Sequence, residues 1–324
     1  MVKQLKIAWA FLRLIRLPNL IIIAITQYFM RWFILKPLLE VSDFTVQLGT
    51  FQFASLVMAT VLIAAAGYII NDYFDTKTDL VNRPGKVIVG RLVTRRWAMT
   101  LHIVFTALGI LFGAYLAKSV NRLSLVMVFV FTSGVLWFYS TTYKRQLLVG
   151  NILISVLVGL VPLTVLIFEF PLLVKHYALY ILANGINFNY LIFWIGSYAG
   201  FAFMVNLIRE VIKDMEDFEG DYIFGRQTIP IVWGMKVSAV VVASLIALTV
   251  VPIIYLLVNY LFDKLSIIYI IMLIIVPFII IGLGIFWAET KERYHTLSQV
   301  TKIIMISGLF YCPLVTYIVH HIKI

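Results

Sequence analysis

The chain has 324 residues, 62% of them hydrophobic and 13% charged, with a mean hydropathy of +1.01. Soluble domains are roughly half apolar and a quarter charged, so composition excludes a soluble protein and indicates an integral membrane one. The net charge of +11 reads as basic cytoplasmic loops rather than a nucleic-acid footprint, and the lone cysteine, Cys312, excludes a disulfide framework or a thiolate metal site.

The opening stretch, MVKQLKIAWAFLRLIRLPNL, breaks its apolar run with Arg13 and Arg16 and offers no small-residue cleavage site. No cleavable signal peptide is therefore expected. Residues 1–17 read as a basic amphipathic segment lying on the membrane surface, with a plain stop before the first span, at Pro18, as the alternative. Nine apolar runs of about 20 residues follow, the length that crosses a hydrocarbon core. They lie at 18–36, 51–71, 97–117, 123–141, 149–168, 188–209, 236–260, 266–288 and 301–321. Residues 170–187 are too irregular to count and read as an extracytoplasmic loop.

The expected fold is all-α and polytopic, nine transmembrane helices forming a single membrane domain over residues 1–324. With the N-terminus inside, cytoplasmic segments hold 19 of the 26 Lys and Arg residues, which sets the orientation. The C-terminus then lies outside, and a cell inner membrane is the expected location.

Acidic residues are scarce and grouped. Of 15 Asp and Glu, nine fall in two windows, 72–79 and 210–221, each at the cytoplasmic end of a span. Asp72, Asp75 and Asp79 follow the pattern D-x2-D-x3-D, and Asp214, Asp217 and Asp221 repeat it 142 residues later. Spacings of three and seven put each triplet within about 60° of one helical face. Four spans separate the copies, which suggests two pseudo-repeated four-helix halves plus one helix.

Three like charges on one half-buried face repel each other, and the C-terminal end of a helix adds negative potential. Such a place calls for cations. Mg2+ fits, because it takes oxygen ligands and bridges carboxylates to substrate phosphates. The bland reading, solvated acids paired with local Lys and Arg, does not explain two matched triplets. An ion-coupled transporter is the sharper rival, but its acids usually sit near the bilayer midplane. Basic residues beside the acids favour a phosphate ligand: Arg83, Lys86 and Arg91 after the first triplet, Lys213 and Arg226 around the second, and Lys144 after the fourth span. Each of these, taken singly, also reads as a positive-inside anchor.

The segment NDYFDTKTD resembles the N-D-x-x-D-x-x-x-D motif of the UbiA family of intramembrane prenyltransferases, and REVIKDMEDFEGD is similar to that family's second aspartate motif. NRPGKVIVGRL resembles the family's Arg-Pro segment, although Lys86-Val87 stands where a second Arg-Pro is more usual. YSTTYKRQLLVGN and RLIRLPN resemble the segment after the fourth helix and the entry into the first span. The resemblance covers essentially the whole chain and looks closest to archaeal-type members, including those that alkylate geranylgeranylglyceryl phosphate.

What it implies is Mg2+-dependent transfer of a prenyl group from a prenyl diphosphate to a lipophilic acceptor among the membrane lipids. Two Mg2+ ions are expected on Asp72, Asp75, Asp79, Asp214, Asp217 and Asp221. Arg83, Lys144 and Lys213 are expected to stabilise the departing diphosphate, and Tyr139 the allylic cation through its ring. Asn71, Lys86, Arg91, Arg226 and Tyr68 are expected to bind substrate. Quinone-ring and haem prenylation share the same motifs, and a non-enzymatic lipid-diphosphate carrier is a further alternative. No nucleic-acid partner is expected.

Overall fold

A bilayer core offers no water to backbone N–H and C=O groups, so apolar runs of this length close their hydrogen bonds within helices. The computed structural model describes residues 2–261 and 263–321, apart from the side chains of residues 2–7, 86, 184 and 321. Among the described residues nine helices are long and apolar enough to cross a membrane. Helix α1 (Val2–Leu14) precedes them. The first span combines α2 (Leu17–Phe29), a π turn (Met30–Leu35) and α3 (Lys36–Glu40). Then come α4 (Thr50–Asn82), α5 (Arg95–Ser119), α6 (Val126–Thr141) and α7 (Val149–His176). After a short α8 (Ala178–Asn184) lie α9 (Asn189–Glu216), the short α10 (Phe218–Ile223) and α11 (Ile229–Asn259). The eighth span joins α12 (Lys264–Ile270) to α13 (Val276–Gly284) through a π turn, and α14 (Lys291–His321) ends the series.

Each expected run falls on one of these spans to within a residue, the fourth counting the 3-10 turn Leu123–Leu125 that leads into α6. Most of the helices are longer than the runs, because helix continues past the hydrophobic limit. Residues 170–187 correct the expectation of an irregular loop: α7 continues through Pro171 to His176, and α8 follows. The 33 residues of α4 span about 50 Å, against a hydrocarbon core of about 30 Å. Its last turns, which carry the first aspartate triplet, therefore extend past the apolar slab.

The chain forms two compact units, Met1–Tyr143 with Leu160–Gly196, and Lys144–Gly159 with Ser197–Ile324. Its boundaries fall at 143/144, just after the fourth span, and inside α7 and α9.

In the first unit α4 packs closely on α5. A Cβ on Gly109 would stand 2.6 Å from Ile63 and 3.2 Å from the Ala59 carbonyl oxygen, so only glycine allows this approach. Ala10, Leu14 and Ile15 bury against Ala65 and Ile69 of α4, Ala98 of α5, and Ile88 and Val89 of the 83–94 connection. Residues 8–15 thus pack on the bundle by one face, and leave Trp9 and Leu12 exposed on another. Two of the buried polar side chains in this unit show partners inside it. Gln27 Nε2 donates to Thr60 and Thr164, both at 2.9 Å, and Glu169 accepts from the Leu48 amide at 3.1 Å.

In the second unit Gly308 takes the ring of Phe201, 2.2 Å from where a Cβ would lie. Ser266 and Tyr311 share a buried hydrogen bond at 2.7 Å.

Candidate functional site

The first triplet lies on unbroken helix, as its spacing predicts. Asp72, Asp75 and Asp79 occupy successive turns near the end of α4, with Asp75 buried and the other two half-buried. Asp79 feels the negative charges of Asp75 and Asp72 and the positive charges of Arg16 and Arg83. The Arg83 amide caps the helix by donating to the Asp79 carbonyl at 2.8 Å.

Asp72 is engaged by a residue that spacing did not single out. Arg16 Nη2 donates to Asp72 Oδ1 at 2.8 Å, and its guanidinium lies over the Tyr68 ring, 4.9 Å from the centroid. Arg16 reaches this position from the junction of α1 and α2, where its backbone is left-handed at φ 51° and ψ 52°. For a residue with a side chain that conformation costs about 1–2 kcal/mol. Its carbonyl accepts from Asn19 at 2.8 Å, and its amide donates to Arg13 at 3.0 Å.

The second triplet departs from expectation. Asp214 lies on α9, Asp217 at the break that follows it with φ −95° and ψ 10°, and Asp221 on α10. The three do not share one regular helical face. Asp214 and Glu216 stand in the last turn of α9, where acidic charge opposes the dipole, whereas Glu219 and Asp221 open α10, where the dipole favours it. Asp214 Oδ2 accepts from Asn151 Nδ2 at 2.8 Å, and Asp214 feels the charges of Asp221, Glu210 and Lys213. Asp221 is buried and pairs with Arg226 at 3.1 Å. Glu216, also buried, takes His295 Nδ1 at 3.0 Å.

The remaining candidates are placed as follows. Lys213 lies 3.6 Å from Glu210, one turn earlier on α9. Arg91 donates to the Pro84 carbonyl at 2.8 Å and closes the 83–94 connection, in which Gly90 takes φ +86°. The Lys86 side chain lies outside the described residues. Lys144 is buried in a 3-10 turn, Tyr143–Arg145, and Tyr139 is half-buried on α6. Asn71 is half-buried, and its Oδ1 has no hydrogen-bond partner.

Among the described residues no three His, Cys, Asp or Glu side chains converge as a finished metal cage. The donor chemistry nevertheless fits Mg2+. The triplets supply carboxylate oxygens, and Asn71 adds a buried amide oxygen beside the first of them. Mg2+ keeps water or phosphate in the rest of its shell, so it needs few side chains.

Arg16 and Asn151 are the residues that sequence reasoning missed. Both stand in segments carrying the family resemblance, RLIRLPN and YSTTYKRQLLVGN, but nothing local in either segment reveals the carboxylate it meets.

Residues 43–305 match the model of the UbiA prenyltransferase family. The chain is 34% identical over 262 residues to a digeranylgeranylglyceryl phosphate synthase from Methanothermobacter thermautotrophicus, covering 80% of this chain and 82% of that one. A synthase of the same name from Korarchaeum cryptofilum is 29% identical over 76% of this chain and 80% of its own length. Among solved structures, one described as digeranylgeranylglyceryl phosphate synthase in membranes superposes with a TM-score of 0.66 at 22% identity, covering 98% of this chain and 99% of that one. A UbiA homologue from Archaeoglobus fulgidus bound to DMAPP and Mg2+ gives 0.58 at 15% identity, covering 94% and 99%. These likenesses show a shared fold.

Proposed function

Because this chain belongs to the UbiA prenyltransferase family, we propose that it transfers a geranylgeranyl group from its diphosphate to geranylgeranylglyceryl phosphate within the membrane. The supporting observation is that the matched segment contains both aspartate triplets and every candidate cation and tyrosine named above. The acceptor is inferred from the names of the synthases that this chain resembles. We treat residues 1–324 as one catalytic domain with its N-terminus and both triplets on the cytoplasmic side of a cell inner membrane, a reading supported by the Lys and Arg bias.

In this reading Asp72, Asp75 and Asp79, and Asp214, Asp217 and Asp221, are the residues that would hold the two Mg2+ ions. When bound, the metal neutralises the diphosphate and stabilises it as a leaving group. Arg83, Lys144 and Lys213 add fixed positive charge where negative charge grows as the C–O bond breaks. Asn71, Lys86, Arg91 and Arg226 bind the diphosphate in its ground state. Tyr139 is assigned to the allylic cation through its ring, and Tyr68, one face of which already carries the Arg16 guanidinium, to binding the substrate. An apolar enclosure would exclude the water that quenches such a cation.

The test is incubation of membranes containing the protein with labelled geranylgeranyl diphosphate and an acceptor panel. Geranylgeranylglyceryl phosphate should become labelled with release of inorganic diphosphate. Labelling of a quinone-ring precursor or a haem instead would replace the acceptor. Binding without diphosphate release would indicate a carrier, and ion flux without prenyl transfer a transporter.

A further inference from the structure

We propose that Arg16 is a resident counter-ion of the first aspartate triplet, a positioning residue that competes with divalent cation for Asp72. The inference rests on the reading of Asp72 as a metal ligand. Three observations carry it. The Arg16 guanidinium sits on Asp72 Oδ1 at 2.8 Å, an oxygen that a metal would need. Its other face is held by Tyr68, so it is oriented rather than loosely paired. The backbone delivering it is held left-handed between Leu14 and Ile15, both buried, and α2. Strain of this kind persists only where the surroundings over-determine it.

Without metal, Asp72, Asp75 and Asp79 repel one another along α4, and one guanidinium relieves part of that repulsion. A cation arriving at Asp72 must displace Arg16, so intrinsic affinity is reduced. Diphosphate brings further oxygen ligands and offsets the displacement. Arg16 therefore couples the two ligands: metal binds weakly alone and tightly with diphosphate, and the coupling is reciprocal.

The experiment titrates Mn2+ into the full chain in nanodiscs, following free Mn2+ by electron paramagnetic resonance, with and without inorganic diphosphate. Arg16→Gln should bind Mn2+ about fivefold more tightly than wild type in the absence of diphosphate, the scale of a partly exposed ion pair. Its gain on adding diphosphate should be smaller than in wild type. Arg16→Lys retains the charge and should stay near wild type, which separates charge from disturbed folding. In an Asp72→Asn background Arg16→Gln should have no effect. Equal or weaker Mn2+ binding by Arg16→Gln, where Asp72→Asn does weaken it, overturns the role of Arg16 alone. Unchanged binding in Asp72→Asn removes Asp72 from the metal site and overturns both readings.

Discussion

Replacing Asn151 by leucine tests the second triplet and should act in the opposite sense to Arg16→Gln. Asn151 Nδ2 donates to Asp214 Oδ2 at 2.8 Å, a neutral donor that orients the carboxylate without bringing a competing charge. Asp214 also feels negative charge from Asp221 and Glu210, so losing the donor leaves a crowded carboxylate less well held. A hydrogen bond to a charged group contributes about 2 kcal/mol, roughly a thirtyfold change in affinity, within the range for residues that orient metal ligands. The Mg2+ concentration giving half-maximal rate should rise by about that factor, and saturating Mg2+ should restore kcat. Mn2+ titration should show the same weakening independently of turnover. The Ser155 hydroxyl bonds the Asn151 backbone carbonyl at 2.6 Å and is not removed by the substitution. An unchanged Mg2+ requirement would refute the positioning role. A rate defect that excess Mg2+ leaves intact would place Asn151 on the substrate instead.

Excess EDTA should abolish prenyl transfer and added Mg2+ should restore it, because the aspartates alone repel a diphosphate; full turnover in chelator would rule out the metal reading. Arg226→Ala removes one partner of a pair whose side chains are only 15% and 3% exposed, and should lower unfolding stability of the metal-free protein by about 3 kcal/mol. If stability holds while KM for prenyl diphosphate rises, Arg226 serves substrate rather than Asp221. Gly109→Leu should lower the thermal midpoint in detergent by forcing α5 off α4, an overpacking penalty of about 2 kcal/mol, and an unchanged midpoint would contradict that close approach. Cysteines replacing the exposed Lys77 and Tyr222 should react with impermeant reagent only from the cytoplasmic side, and one replacing Leu182 only from outside; labelling of the first two from opposite faces would end the shared-side reading.

Nine spans were legible because hydropathy is local: a run of about 20 apolar residues has one stable answer in lipid. The helix ends were less so, since α4 continues for eleven residues beyond the expected limit at 71, to Asn82. Hydrophobicity marks where the bilayer stops, whereas helix stops at a cap or a breaker. The same limit explains the second triplet. Its spacing copies the first position for position, yet α9 ends at Glu216 with acidic residues in its last turn, and helix resumes only at Phe218.

The sequence by itself determined the fold class, the nine spans, the two aspartate triplets and the family, because each is written in contiguous residues or in a repeat. Tertiary structure alone decided which donor meets which acid. Arg16 is 56 residues from Asp72 and Asn151 is 63 from Asp214. Neither spacing belongs to any helical period, so no local pattern encodes the pairing. It arises when the buried residues around Arg16 dock on α4 and when α7 brings Asn151 to α9. Apolar packing chooses those neighbours, and the polar contacts follow from it.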